Sequence, residues 1–157
     1  MNKTDKKMEV AAIKNGTVID HIPAQSLFRV IDLLRFKKIK SPLIFANNMD
    51  SNKIGKKAII KIVDWECSAH ELGYLALVAP QARVSTIRDY EVFEKRQIEP
   101  PVEVRSIVKC ANPMCITNHE GAPTRFSVMV EGGELTLRCR YCEKTTLSKQ
   151  IEIIGKK

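Results

Sequence analysis

Four cysteines carry the clearest chemistry in this chain: Cys110, Cys115, Cys139 and Cys142. They form two short loops, C-x4-C and C-x2-C, with 23 residues between them. Zinc takes four thiolates in a tetrahedron, and two facing cysteine loops supply that geometry. Asn112-Pro113 starts a turn inside the first loop. A four-cysteine site has no open coordination position, so its metal folds a domain and does not bind substrate. Two other chemistries use the same residues. Two disulfides need an oxidising compartment, and no secretory segment is evident. A thioredoxin-like redox pair at Cys139 and Cys142 needs a helix after its first cysteine. The flanks Glu134–Arg138 and Thr145–Ser148 read as strands instead. The expectation is one structural Zn(2+) per chain. Cys67 has no partner at such spacing and reads as a small buried hydrophobe.

Elsewhere there is neither a nucleophile–base set nor a glycine-rich phosphate loop. His70 falls in the first turn of the second predicted helix and reads as a surface residue, and His119, in the cysteine-rich half, lacks a partner at ligand spacing. Asp20-His21 ends an apolar run just before Pro23, and by itself the pair reads as a helix-start cap. Lys57 and Lys61 are four apart on a strand and share a face. Lys95 lies near the end of a later strand. One such lysine is a solvated charge, whereas three together would answer phosphates. Val10–Ile13, Val18, Tyr90 and Val92 would line an apolar slot beside them.

The elements that must position these groups divide at a proline pair. Residues 1–7 read as a loose polar tail. Met8–Lys14 reads as a strand, Asn15-Gly16 as a hairpin turn, and Thr17–Ile19 as its return. Leu27, Val30, Ile31 and Leu34 recur at helical spacing, so Pro23–Arg35 is a helix with proline in its first turn. Ser41–Asn48 and Lys57–Val63 are strands around an Asp50-Ser-Asn turn. Ser68 and Glu71 make a capping box that opens a second helix to about Leu77. Ala82–Asp89 and Tyr90–Arg96 complete the pattern. This β-α-β-β-α-β order with an extra strand implies an α+β fold, a ferredoxin-like antiparallel sheet with both helices on one face. Gln97–Glu103, with Pro100-Pro101, is a semi-rigid connector. Arg105–Lys109, Thr124–Glu131, Glu134–Arg138 and Thr145–Ile154 then form short strands, with a tight turn at Gly132-Gly133. The expected division is 1–99, a connector at 100–104, and an all-β zinc-binding domain at 105–157. So small a second domain is marginal without a staple, which zinc supplies.

The formal net charge is +8, and the excess is spread over both halves. It favours anionic partners of any kind. No apolar run is long enough to span a bilayer, so the expected location is cytoplasmic. A zinc ribbon that binds nucleic acid fits the charge and the cysteine loops. The second half has few aromatics for base stacking, however, with only Phe126 and Tyr141.

The string Glu9-Val-Ala-Ala-Ile-Lys-Asn-Gly-Thr-Val-Ile-Asp-His-Ile-Pro-Ala24 resembles the start of the regulatory chain of aspartate carbamoyltransferase. Ile60-Lys-Ile62, Leu77-Val-Ala-Pro-Gln-Ala82, Asp89-Tyr-Glu-Val92 and Cys139-Arg-Tyr-Cys-Glu-Lys144 carry the resemblance along nearly the whole chain. It implies a non-catalytic subunit that senses CTP, ATP and UTP in its first domain. Its zinc domain would dock on catalytic chains. Regulatory homodimers would link two catalytic trimers into a dodecamer in pyrimidine biosynthesis. It also implies an effector site at Ala12, Ile13, Val18, Asp20, His21, Lys57, Lys61, Tyr90, Val92 and Lys95. Departures from the family pattern fall at Ala11, Val63, Ser85 and Met114 and bear on effector preference and partner contacts.

Overall fold

The computed structural model describes residues 10–132 and 134–154. The polar tail at 1–7, Met8 and Gly133 lie outside the described residues. The first half contains β1 (Gly16–Pro23), α1 (Leu27–Leu33), β2 (Leu43–Ser51), β3 (Gly55–Val63), α2 (Ala69–Val78), β4 (Arg83–Arg88) and β5 (Glu91–Arg96). They build a five-stranded antiparallel sheet in the order β2-β3-β1-β4-β5. The extra strand of the ferredoxin-like pattern is thus the last one, β5, hairpinned onto β4. The sheet is α+β as expected, with two helices packed on its apolar face.

Strand alternation decides which face that is. In β3, Ala58, Ile60 and Ile62 are fully buried, while Lys57, Lys61 and Val63 point the other way. In β1, Ile19 and Ile22 are both fully buried although they are three apart. A one-residue bulge at Asp20-His21 makes this possible, and His21 absorbs it at φ 60°. Against these residues α1 places Leu27, Val30 and Leu33, and α2 places Leu75 and Leu77. Ser68 and Glu71 form the capping box at the start of α2: the Ser68 side chain accepts from Glu71 N at 3.1 Å, and Glu71 accepts from Ser68 N at 2.9 Å.

The hairpin expected at Asn15-Gly16 is not formed. Residues 10–13 have no regular pairing, and β1 starts at Gly16 as the central strand. Gly16, at φ 141°, lies so close to β3 that a Cβ would stand 2.0 Å from the Ile62 carbonyl oxygen. The glycine serves a close strand approach, not a turn. Asn15 is held from both sides instead: its carbonyl accepts from Asp64 N and its side chain from Asp89 N.

The second half holds β6 (Glu103–Arg105), β7 (Arg125–Glu131), β8 (Glu134–Cys139) and β9 (Thr145–Leu147), an antiparallel sheet in chain order. Pairing of Glu131 with Glu134 leaves a two-residue turn, of which Gly132 has φ 57°. Two strand expectations are corrected. Thr145–Ile154 is not one strand: β9 stops at Leu147, a 3-10 turn spans Ser148–Gln150, and Ile153 bridges to Val108. Arg105–Lys109 likewise belongs to β6 only at its first residue. Burial of Val104, Val108 and Ile151 explains both breaks, since each segment bends to bring one apolar residue inward. Between the halves, Pro101 Cδ lies 3.5 Å from the Cβ position of Gly73 in α2.

Candidate metal centre and ligand cleft

The cysteine loops are shaped before any ion is considered. In the first, Cys115 N donates to Asn112 O at 3.0 Å. Asn118 Nδ2 donates to Cys110 O at 3.1 Å and to Asn112 O at 2.7 Å, closing the loop. In the second, Glu143 N donates to Cys139 O at 2.9 Å, with Glu143 at φ 66°. The four sulfurs lie within 4.8 Å of one another. Cys110 Sγ is 3.6 Å from Cys142 Sγ, and Cys115 Sγ is 3.8 Å from Cys139 Sγ. A disulfide needs about 2.05 Å, so the thiols are unbridged. Four ligands at about 2.3 Å from one zinc would stand roughly 3.8 Å apart, close to the separation within each of these two pairs. Thr117 Oγ1 donates to Cys115 Sγ at 3.2 Å and Tyr141 N points to Cys139 Sγ at 3.4 Å, the outer contacts a thiolate cluster uses. Burial pushes the Cys110 thiol up to about 12. Burial acts the same way on Cys142, but hydrogen bonds from Asn112 and the Lys144 backbone outweigh it and bring that thiol to about 7. Four neighbouring sulfurs ionise together only against a cation. The donor set fits one structural zinc.

A second feature lies on the uncovered face of the five-stranded sheet. Register aligns Ile44, Lys61, Val18, Ser85 and Lys95 in one row across all five strands. Lys61 and Lys95 are three strand spacings apart, roughly 14 Å. A cleft of about 490 Å³ opens beside this row, lined by Val18, Asp20, His21, Arg83, Ser85, Val92, Lys95 and Arg96 among others. Five of the expected positions therefore meet: Val18, Asp20, His21, Val92 and Lys95. Lys57 stands behind them, its Nζ donating to Asp20 Oδ1 at 3.0 Å. Lys61 Nζ donates to Val10 O at 3.1 Å and Ala11 O at 2.9 Å, holding the chain before β1 against the sheet. Ala12 and Tyr90 are exposed beyond the cleft lining, and Ile13 is buried.

Asp20-His21 is not a helix cap. Pro23 precedes the first helical turn without any side-chain cap bond, and Asp20 Oδ1 instead accepts from His21 N at 2.6 Å within the bulge. His21 Nδ1 is buried with no hydrogen-bond partner. Burial lowers its pKa below the ordinary 6.5; Asp20 opposes this, while Lys57, Arg83 and Lys53 reinforce it. Asp20 Oδ2 stands 3.6 Å from Nδ1, beyond hydrogen-bond reach, so this ring nitrogen is left to bond a ligand, and Lys57 and Arg83 beside it favour one that brings negative charge.

Residues 8–99 match the family model described as aspartate carbamoyltransferase regulatory chain, allosteric domain. Residues 102–152 match the metal binding domain of the same regulatory chain. The chain belongs to this family. The regulatory chain of Bacteroides thetaiotaomicron is 45% identical over 154 residues, covering 98% of this chain and all of that relative. That of Phocaeicola vulgatus is 46% identical over 154 residues, covering 98% and 99%. That of Pyrococcus abyssi is 44% identical over 147 residues, covering 92% and 96%. As a member, the chain is a regulatory subunit and not an enzyme, with an allosteric domain and a zinc-binding domain. The nucleic-acid-binding zinc ribbon is not favoured.

Reading by spacing missed Arg83, Ser85 and Arg96 as cleft residues. Arg83 pairs with Asp20 and Ser85 with Val18, across strands more than 60 positions apart. Only strand register carries that information. Among the described residues, no helix is long and apolar enough to cross a membrane.

Proposed function

We propose that this chain senses nucleoside triphosphates on its open sheet face and passes the result to aspartate carbamoyltransferase catalytic chains docked on its zinc domain. The working division is 1–99 for the sensor, 100–104 for the connector and 105–157 for the docking domain. The observation that carries the sensor role is the cleft: His21 with a buried nitrogen that has no hydrogen-bond partner, beside Asp20, Arg83 and Lys95, while the Arg96 guanidinium is committed to the Cys67 carbonyl. Lysine and arginine there answer a triphosphate, and Val18 and Val92 offer apolar contact to a base. Ala12, Ile13 and Tyr90 flank the base end. Lys57 and Lys61 would turn to a ligand once released from Asp20 and from the Val10 and Ala11 carbonyls, and Lys57 would then serve a second nucleotide. CTP, ATP and UTP are the effectors this reading names.

Docking is supported by an exposed apolar group on the cysteine loops: Met114, Ile116 and Tyr141. Solvent-exposed large side chains on a metal-stiffened loop suit a protein partner. A regulatory homodimer is supported by contrasting sheet edges. The β5 edge carries Glu91, Glu94, Lys95 and Arg96, which resist strand addition. The β2 edge begins Leu43-Ile-Phe-Ala with Phe45 half exposed, and is open to a second copy. Two catalytic trimers linked by three such dimers give the dodecamer, working in the cytoplasm on pyrimidine biosynthesis.

The test is a CTP titration of the zinc-loaded chain and of its Lys95→Ala variant by calorimetry. Removing one charge-assisted contact weakens binding about tenfold, with assembly on catalytic chains unchanged. Equal affinity in the two proteins rejects the cleft assignment.

A further inference from the structure

The two halves are joined by more than the connector. Arg29, half-buried on α1, reaches the second half with its guanidinium. Nη1 donates to Ser148 O at 3.1 Å; Nη2 donates to Lys149 O at 2.7 Å and to Ile151 O at 2.6 Å. These are three main-chain carbonyls in and just after the 3-10 turn at Ser148–Gln150. Ser148 O also accepts from Ile151 N at 3.3 Å, closing the turn, and Arg29 adds to it and meets the Lys149 and Ile151 carbonyls that follow. A planar fork with five donors can hold several at once, which an ammonium cannot do with the same rigidity.

The gripped segment leads to both cysteine loops. On one side it continues β9, which pairs with β8, the strand that ends at Cys139. On the other, Lys109 N donates to Glu152 O and Ile154 N to Ile107 O, both at 2.8 Å, and Val108 bridges to Ile153. Cys110 follows directly. A shift of residues 148–154 therefore moves the supports of Cys110 and Cys139 together. Towards the other end, Arg29 lies eight positions after His21. Between them run only the end of β1, the 3-10 turn at Ala24–Ser26 and the first residues of α1. Ile22 and Leu27 in that stretch are fully buried, so it is packed rather than slack.

We propose that Arg29 is a positioning residue that carries ligand binding at the Asp20-His21 bulge to the zinc domain. The proposal rests on the nucleotide reading of the cleft. A ligand that alters the bulge displaces α1, and the three-pronged clamp imposes that displacement on residues 148–151. Arg29 touches neither the ligand cleft nor the cysteines, so it acts on coupling and not on affinity for either.

Wild-type chain, Arg29→Ala and Arg29→Lys are compared, each zinc-loaded and complexed with catalytic chains. CTP affinity is read by calorimetry, and zinc by metal analysis. Hydrogen exchange of residues 148–154 is followed with and without CTP, along with the effect of CTP on catalytic rate. In wild type, CTP changes exchange in that segment. In Arg29→Ala, zinc content is unchanged and CTP affinity stays within about threefold, while the exchange response disappears and the effect on rate falls at least about threefold. Arg29→Lys keeps the charge without the fork and recovers part of both. Full exchange and rate responses in Arg29→Ala overturn the proposal and leave the nucleotide reading intact. Loss of zinc from that variant also overturns it, because the clamp is then merely structural. A wild-type chain that binds no CTP overturns the nucleotide reading and the coupling role together. Should Arg29→Ala not assemble, Arg29→Lys decides by the same readouts.

Discussion

The two halves of this chain are stabilised by different physics. The first buries Ile19, Ile22, Leu27, Val30, Ile60, Ile62, Leu75 and Leu77 completely between a sheet and two helices. The second has a shorter set, chiefly Val104, Val108, Phe126 and Leu137, beside the four sulfurs. The first half can therefore leave much of one sheet face open, because its other face is sufficient to hold the fold. The second cannot, and its best polar chemistry is committed to the metal. The first half matches an allosteric domain and the second a metal binding domain. The division of labour follows from where each half finds its stability.

The sharpest way to break the comparison is to remove the metal. Structural zinc contributes about 10–16 kcal/mol in small zinc domains. Chelation or Cys139→Ser is expected to abolish hydrogen-exchange protection across β7–β9 and to release catalytic chains. Protection in β1, β3 and α2 should persist. Joint collapse of both halves would show that they do not fold separately. Next in size, Leu75→Ala opens a cavity in the first core and costs about 2–5 kcal/mol. Denaturant unfolding should register that loss in the first half while zinc content stays at one per chain. A smaller effect of about 1 kcal/mol is expected from Ser68→Ala, which removes one arm of the capping box. A thermal melt checks it, and the second half should again be indifferent.

The pH response is the subtlest. His21 has a folded pKa below 6.5, so it is neutral in the fold at pH 7. The unfolded chain takes up this proton first as pH falls through 6.5, and stability contributed by the neutral ring is lost on that acid side. An anion seated against Nδ1 acts in the opposite sense and raises this pKa. CTP binding should therefore strengthen as pH falls below neutrality and be accompanied by proton uptake. Calorimetry in buffers of different ionisation enthalpy measures that uptake. A His21→Gln variant should bind without it.

Much of the first half is legible from periodicity alone. β3 places Ala58, Ile60 and Ile62 on the face that meets the helices and Lys57 and Lys61 on the other, and Ser68 with Glu71 announces α2 by local bonding. The failures are equally physical. Asn15-Gly16 looks like a turn, since two adjacent residues suited to positive φ are the usual hairpin signal. Gly16 is used instead because the Ile62 carbonyl leaves no room for a Cβ, a constraint imposed from 46 positions away. Asp20-His21 looks like a cap because proline follows, yet the pair is a bulge demanded by the inward facing of Ile19 and Ile22. Thr145–Ile154 looks like a strand by composition, but Ile151 must turn inward to the core.

Chain order alone determined the metal chemistry of this protein. Four thiols in two tight loops flanked by strands favour a metal over disulfides or a redox pair, and each loop is closed by bonds within a few residues of itself. The division into an α+β half and a small β half followed from local periodicity and a proline pair. Tertiary structure alone decided which cations share a cleft with His21. It also decided that Arg29 grips carbonyls 119 to 122 positions away. Those groups meet through strand register and domain packing, and both depend on contacts between residues that no short window of sequence contains.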